Sequence, residues 1–135
     1  MTPRCEWLIV CERQYLDEQG RLCLVGLMNE IRAPHGEATA SVPKMAVVAK
    51  VVGEPGQSIH SVLRCSDPDG TILIEMPSDT PAHGEDGTSI ATWLLEGWTF
   101  GLGRHVFTLT SGAERLATVP VAVRAAEAHE TDEDP

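Results

Sequence analysis

The chain is short of basic residues, aromatics and helical periodicity, and each shortage removes a class of function. Ten Lys and Arg stand against 20 Asp and Glu, a formal net charge of −10. Nucleic-acid binding needs clustered cations that displace counterions from phosphates, so no nucleic-acid partner is expected, and the same argument disfavours an anionic membrane surface. Three Trp, two Phe and one Tyr are too few to supply exposed stacking platforms for sugars. No apolar run approaches the roughly 18 residues of a membrane helix. The longest near the N-terminus, Trp7 to Cys11, is closed by Glu6 and Glu12, and neither a signal peptide nor a membrane anchor is expected. The cysteines Cys5, Cys11, Cys23 and Cys65 form no CxxC pair and read as free thiols filling small gaps in a cytoplasmic protein. No three-turn helix and no Gly-rich phosphate loop after a strand is legible, which excludes βαβ architectures.

What is present is a succession of strands. With 135 residues and 42% hydrophobic content the chain fills one core and leaves no room for a second domain. Residues 5–11 alternate, and Cys5, Trp7, Ile9 and Cys11 are assigned inward, with Leu8 and Val10 on the other face. Gly20 to Arg32 reads as one strand, apolar on both faces, with Gly26 marking a bulge or bend. Residues 33–43 read as a crossover loop, followed by strands over 44–52, 57–66 and 71–76. Asp67-Pro68-Asp69-Gly70 is a strong turn signal.

Residues 77–87 read as a second long, mobile loop. A strand over 88–96 places Trp93 and Leu95 on one face and Ile90, Thr92 and Leu94 on the other. The closing hairpin runs from Gly103 to Val123, with Phe107 and Leu109 facing one way and Thr108 and Thr110 the other, Val119, Val121 and Val123 inward, and Pro120 marking an edge strand. The expectation is an all-β fold: a single antiparallel β-sandwich of about eight strands over residues 1–123, immunoglobulin-like or of a related Greek-key topology. Residues 124–135 hold five acidic residues against one arginine and read as an acidic, disordered tail.

The runs Leu22-Cys23-Leu24-Val25-Gly26-Leu27-Met28-Asn29-Glu30-Ile31-Arg32-Ala33-Pro34 and Met45 to Gly56, followed by Asp67-Pro68-Asp69-Gly70, resemble a family of small bacterial β-sandwich proteins of unknown function. The resemblance covers roughly residues 5 to 76. It departs from the family pattern at His35-Gly36-Glu37, where a Phe-Pro sequence is usual. It implies a β-sandwich in a bacterial cytosolic setting and implies no activity.

No chemistry-bearing motif rises above background. The five histidines are dispersed, with none at metal-ligand spacing. His35 and His83, with Asp86, are weak candidates for a divalent metal if their loops meet at one end of the sandwich. Asp67, Asp69, Asp79 and Asp86 are oxygen ligands of the type calcium takes, but the first two are explained by their turn. No serine or cysteine sits in an elbow with a base and amide donors, so no catalytic residue and no cofactor is assigned and the chain is not expected to be an enzyme. Trp98 and Phe100 lie among glycines; they either plug the core or, if exposed, anchor a protein partner. The reading is a non-catalytic protein-interaction or scaffolding module that uses this corner or its edge strands, with homo-oligomers among the edge-pairing options. The alternative is a small-ligand or metal-binding sandwich built on loops 34–43 and 77–87.

Overall fold

The computed structural model describes residues 2–126. They form nine strands and no helix: β1 (Arg4–Leu16), β2 (Leu22–Leu27), β3 (Glu30–Ala33), β4 (Thr39–Val52), β5 (Ser58–Ser66), β6 (Ile72–Pro81), β7 (Thr88–Gly101), β8 (Gly103–Ser111) and β9 (Glu114–Ala125). One sheet has the order β2-β1-β4-β7 and the other β3-β9-β8-β5-β6. Neighbouring strands are antiparallel except β3 and β9, which pair in parallel, so the second sheet is mixed. The inner faces share one core, in which Val47, Trp93 and Leu95 of the first sheet meet Leu63, Phe107 and Leu109 of the second.

Asp17-Glu18-Gln19-Gly20 and Asp67-Pro68-Asp69-Gly70 build the same turn. In each, the aspartate carboxylate accepts from the amides two and four residues ahead, at 2.8–2.9 Å. In each, the fourth residue is a glycine at positive φ, 77° in Gly20 and 86° in Gly70, where a side chain would be strained.

Several strands exceed their expected limits. β4 begins at Thr39 and β6 runs to Pro81, so much of both expected loops is paired strand. The remaining connection, residues 82–87, is not a free loop. Gly53 donates to the Gly87 carbonyl, Gly56 to Ala82 and Ala82 to Gln57, at 2.8–3.0 Å, and Ala82 is buried. The expected strand over residues 20–32 is broken at Met28-Asn29, and its halves lie in different sheets. Apolar character on both faces is the trace of that change of sheet.

One strand pair, β4 with β7, switches which face points inward. On β4 the inward residues are Ala40 and Val42, then Met45, Val47, Ala49 and Val51; on β7 they are Ala91, Trp93 and Leu95, then Trp98 and Phe100. The switch lies between the pairs Val42–Trp98 and Lys44–Glu96, where Pro43 sits on one strand and Gly97, at φ 69°, on the other. A glycine in the left-handed region lets a strand bend without a Cβ clash.

On β1 a register shift between Cys5 and Trp7 turns Leu8 and Val10 toward the core and Trp7, Ile9 and Cys11 away from it. This reverses the expected inward face from Trp7 onward, while Cys5, ahead of the shift, packs against the core as expected. Pro120 also departs from expectation, because β9 lies inside its sheet. β3 pairs only with Ala122–Ala125, however, so Pro120 sits where one side of β9 is free, and its missing N–H breaks no ladder bond there. The expected tail beyond Ala126 lies outside the described residues.

Candidate functional site

Trp98 and Phe100 do not form an exposed corner. Phe100 is 1% exposed and meets the buried His105 ring edge-to-face, with centroids 5.3 Å apart. Trp98 is partly buried and packs against the same core. Strict alternation from Trp93 and Leu95 would carry Phe100 outward; the bend at Gly97 turns it in. Phe100 is therefore unavailable as a partner anchor.

The metal candidates are also separated. His35 lies beyond β3, its Nδ1 3.4 Å from the Ala126 carbonyl, just before β4 starts. His83 exchanges backbone hydrogen bonds with Thr88, which pairs with Val52 at the far end of β4. The two loops thus stand at opposite ends of a 14-residue strand. Asp86 shares the His83 turn, where hydrogen bonds from the Thr88 hydroxyl and amide hold its carboxyl below the usual range. Among the described residues no three His, Cys, Asp or Glu side chains group as metal ligands do. His60 and Asp79 form an exposed cross-strand pair at 2.6 Å.

Burial pushes the Cys65 thiol up to about 12, with the Asp67 charge adding to the effect, and burial likewise raises Cys5 and Cys11. These sulfurs stay protonated at neutral pH and are poor nucleophiles. Among the described residues, Ser61 Oγ, Trp93 Nε1 and His105 Nε2, with Glu30 Oε1, are buried polar side-chain atoms without a hydrogen-bond partner, and they come from four different strands. Ser61 lies in the middle of β5, whereas His105, two residues before the Cys65–Phe107 pair, lies at the other end of that sheet.

The surface that stands out is the outer face of β2-β1-β4-β7. Strand pairing lays it out as rows. Cys11, Ala46 and Leu94 form one row, Ile9, Val48 and Thr92 the next, and Trp7, Lys50 and Ile90 a third. Cys11, Ala46 and Val48 are buried beneath Trp7, Ile9, Leu22 and Leu24, whereas Leu94 is 61% and Ile90 41% exposed. Leu27, opposite Cys11, is 67% exposed. The sheet is therefore apolar on both faces, although only one is covered by the other sheet.

Charges of both signs frame this pad. The chain has two lysines, Lys44 and Lys50, both on β4 at the pad's opposite ends. Lys50 Nζ lies 3.2 Å from Glu6 Oε2, and this lysine holds the Glu6 carboxyl below its ordinary range. Lys44 lies opposite Glu96, and with Glu12 and Arg13 they rim a cleft floored by Ala46 and Leu94. The cleft, of about 180 Å³, is smaller than the roughly 300–1,000 Å³ of small-molecule sites. The face suits docking and not the enclosure of a ligand.

In the sequence, Ile90, Thr92 and Leu94 fall opposite Trp93 and Leu95, but Trp7, Ile9 and Cys11 read as inward, so the β1 part of this face was missed. The available signal was that Leu8 and Val10 make the opposite face of β1 apolar too. No known protein-family pattern matches the chain, and no curated protein matches its sequence.

Proposed function

We propose that this chain is a non-catalytic protein-interaction or scaffolding module whose docking surface is the outer face of the four-stranded sheet. The observation that carries the reading is the apolar pad, with Leu94 and Ile90 projecting into solvent from a sheet whose other face already fills the core. Contiguous exposed apolar surface rimmed by polar groups marks interaction sites. The fold supports a module as well. The orders β4-β7 and β9-β8-β5-β6 correspond to strands B-E and G-F-C-C′ of an immunoglobulin-like sandwich, which favours that topology over other Greek-key arrangements. The resemblance to small bacterial sandwich proteins agrees with a cytoplasmic setting for such a module.

Edge pairing is blunted in the five-stranded sheet, whereas β7, an edge of the four-stranded sheet, runs 14 residues without a proline. β6 carries Pro77 and Pro81, and β3 has four residues; prolines and short length both blunt edges against added strands. The ligand-binding alternative loses its support where its two loops stand at opposite ends of β4.

Affinity capture of the full chain from its native cytosol tests the reading, with Leu94→Arg as the matched control. Stoichiometric capture of a protein by the parent chain but not by the variant supports it. Equal capture by both variants assigns the interaction to another surface, and capture of nothing, together with no self-association, overturns the module.

A further inference from the structure

We infer that the occupant of this face is a second copy of the chain, joined face to face through the outer sides of β1, β4 and β7; the inference rests on the interaction-module reading. The argument is electrostatic first. The chain carries a net charge of −10, so two copies repel at most approaches. Around the pad, however, Glu6, Glu12 and Glu96 are matched by Arg13, Lys44 and Lys50. The acidic turn at Asp67-Asp69 lies away from it, in the β5–β6 connection, while Asp86, in the β6–β7 connection, adds one further acid within reach of the Lys50 charge at the pad's end. With charges screened beyond about 8 Å at physiological salt, two copies meet on this face with little of the repulsion that the whole chain's net charge imposes. A strongly basic partner would instead prefer the acidic turn.

The pad is also self-complementary in sign. Each end presents a base beside an acid, Lys44 with Glu96 and Lys50 with Glu6. A twofold contact brings the same patch of both copies together; with the axis along the strands and between β4 and β7, Lys44 of each copy faces Glu96 of the other. Trp7 and Ile9 pack over the small residues Ala46 and Val48, so the surface offered to the second copy is made by these larger side chains with Leu94 and Ile90.

Size sets the strength. At about 3.3 Å per residue and 4.8 Å between strands, the pad measures about 20 Å by 20 Å, or roughly 400–600 Å² per copy with its rim. The total falls at or below the low end of stable interfaces, about 1,200 Å². The dimer is accordingly weak and reversible.

Sedimentation velocity of the full chain over a wide concentration range, with Leu94→Arg and Ile90→Arg beside it, tests the inference. Both side chains are solvent-exposed, so circular dichroism should report an intact fold. The expected result is a concentration-dependent monomer–dimer equilibrium whose dissociation constant rises at least about 30-fold in Leu94→Arg, as for loss of a hot-spot side chain. Exchanging the rim charges, Lys44→Glu with Glu96→Lys, should restore most of the association that Lys44→Glu alone removes. A parent chain that stays monomeric at every concentration overturns the second-copy inference. If that monomer still captures a different protein through Leu94, the interaction-module reading stands, whereas capture of nothing ends both. A dimer that neither arginine variant weakens places self-association elsewhere and also overturns the inference.

Discussion

Individual side chains in this protein act mainly by satisfying the backbone at turns or by staying neutral in the core. Asp67 accepts two amide hydrogen bonds at the β5–β6 turn, and Asp67→Ala should lower stability by about 1 kcal/mol, read as a urea midpoint shift without a change in m-value. Asp17→Ala should act in the same direction at the β1–β2 turn. The Arg21 amide and guanidinium, with the Gln19 amide, hold the Asp17 carboxyl below its usual value. Its contribution is thus present above the ordinary carboxylate pKa and is lost as pH falls through the lowered one. Cys65 has the opposite dependence. Its thiol ordinarily ionises near 9.0 and in the native state near about 12, so across that window the unfolded chain has released a proton that the native chain keeps. Stability should fall as pH rises from about 9 toward 12. In Cys65→Val that slope should be shallower, Cys5 and Cys11 supplying the rest, as checked by urea titrations on either side of the window. A slope equal to the parent's would remove Cys65 as its cause.

At the scale of elements, the informative positions are those where strands bend or cross. Gly87, at φ 67°, packs so closely on the Gly53 carbonyl that a Cβ would collide with it, while the Gly53 amide donates to the Gly87 carbonyl at 2.9 Å. This contact ties the β4–β5 connection to the β6–β7 connection, and the collision is with backbone, which has little room to yield. Gly87→Ala should cost about 2 kcal/mol or more, combining strain with the lost close approach, measured by thermal and urea unfolding. Residues 77–87 read as a loop because they are rich in Pro, Asp, Gly, Ser and Thr, yet Ser78, Thr80 and Pro81 all pair with β5. Composition reports local preference; pairing with a strand some twenty residues away overrides it. Where alternation was clean and uninterrupted, as for Phe107 and Leu109 on β8 or Val121 and Val123 on β9, the residues that share a face were legible, and these four side chains are buried.

The whole molecule separates two kinds of large apolar residue that look alike in sequence. Phe100 is enclosed by both sheets, and Phe100→Ala should cost about 3–5 kcal/mol. Leu94→Ser, on the uncovered face, should change stability by less than about 0.5 kcal/mol, and differential scanning calorimetry of the two variants checks the contrast. A large loss in Leu94→Ser would mean that the outer face is part of the monomer's own core and not a docking surface.

The sequence by itself determined the all-β class, the turns built by Asp and Gly, and which residues share a face on strands whose alternation is unbroken. These follow from local backbone preference and from the period of two, which act over a few residues. Only the tertiary structure decided that residues 20–33 divide between two sheets, that Gly97 turns Phe100 into the core, that His35 and His83 stand apart, and which apolar face of β1 is covered. Those outcomes depend on which strands become neighbours. A bulge reverses inside and outside for the rest of a strand, and a sheet apolar on both faces leaves the choice of covered side to the partner that packs against it.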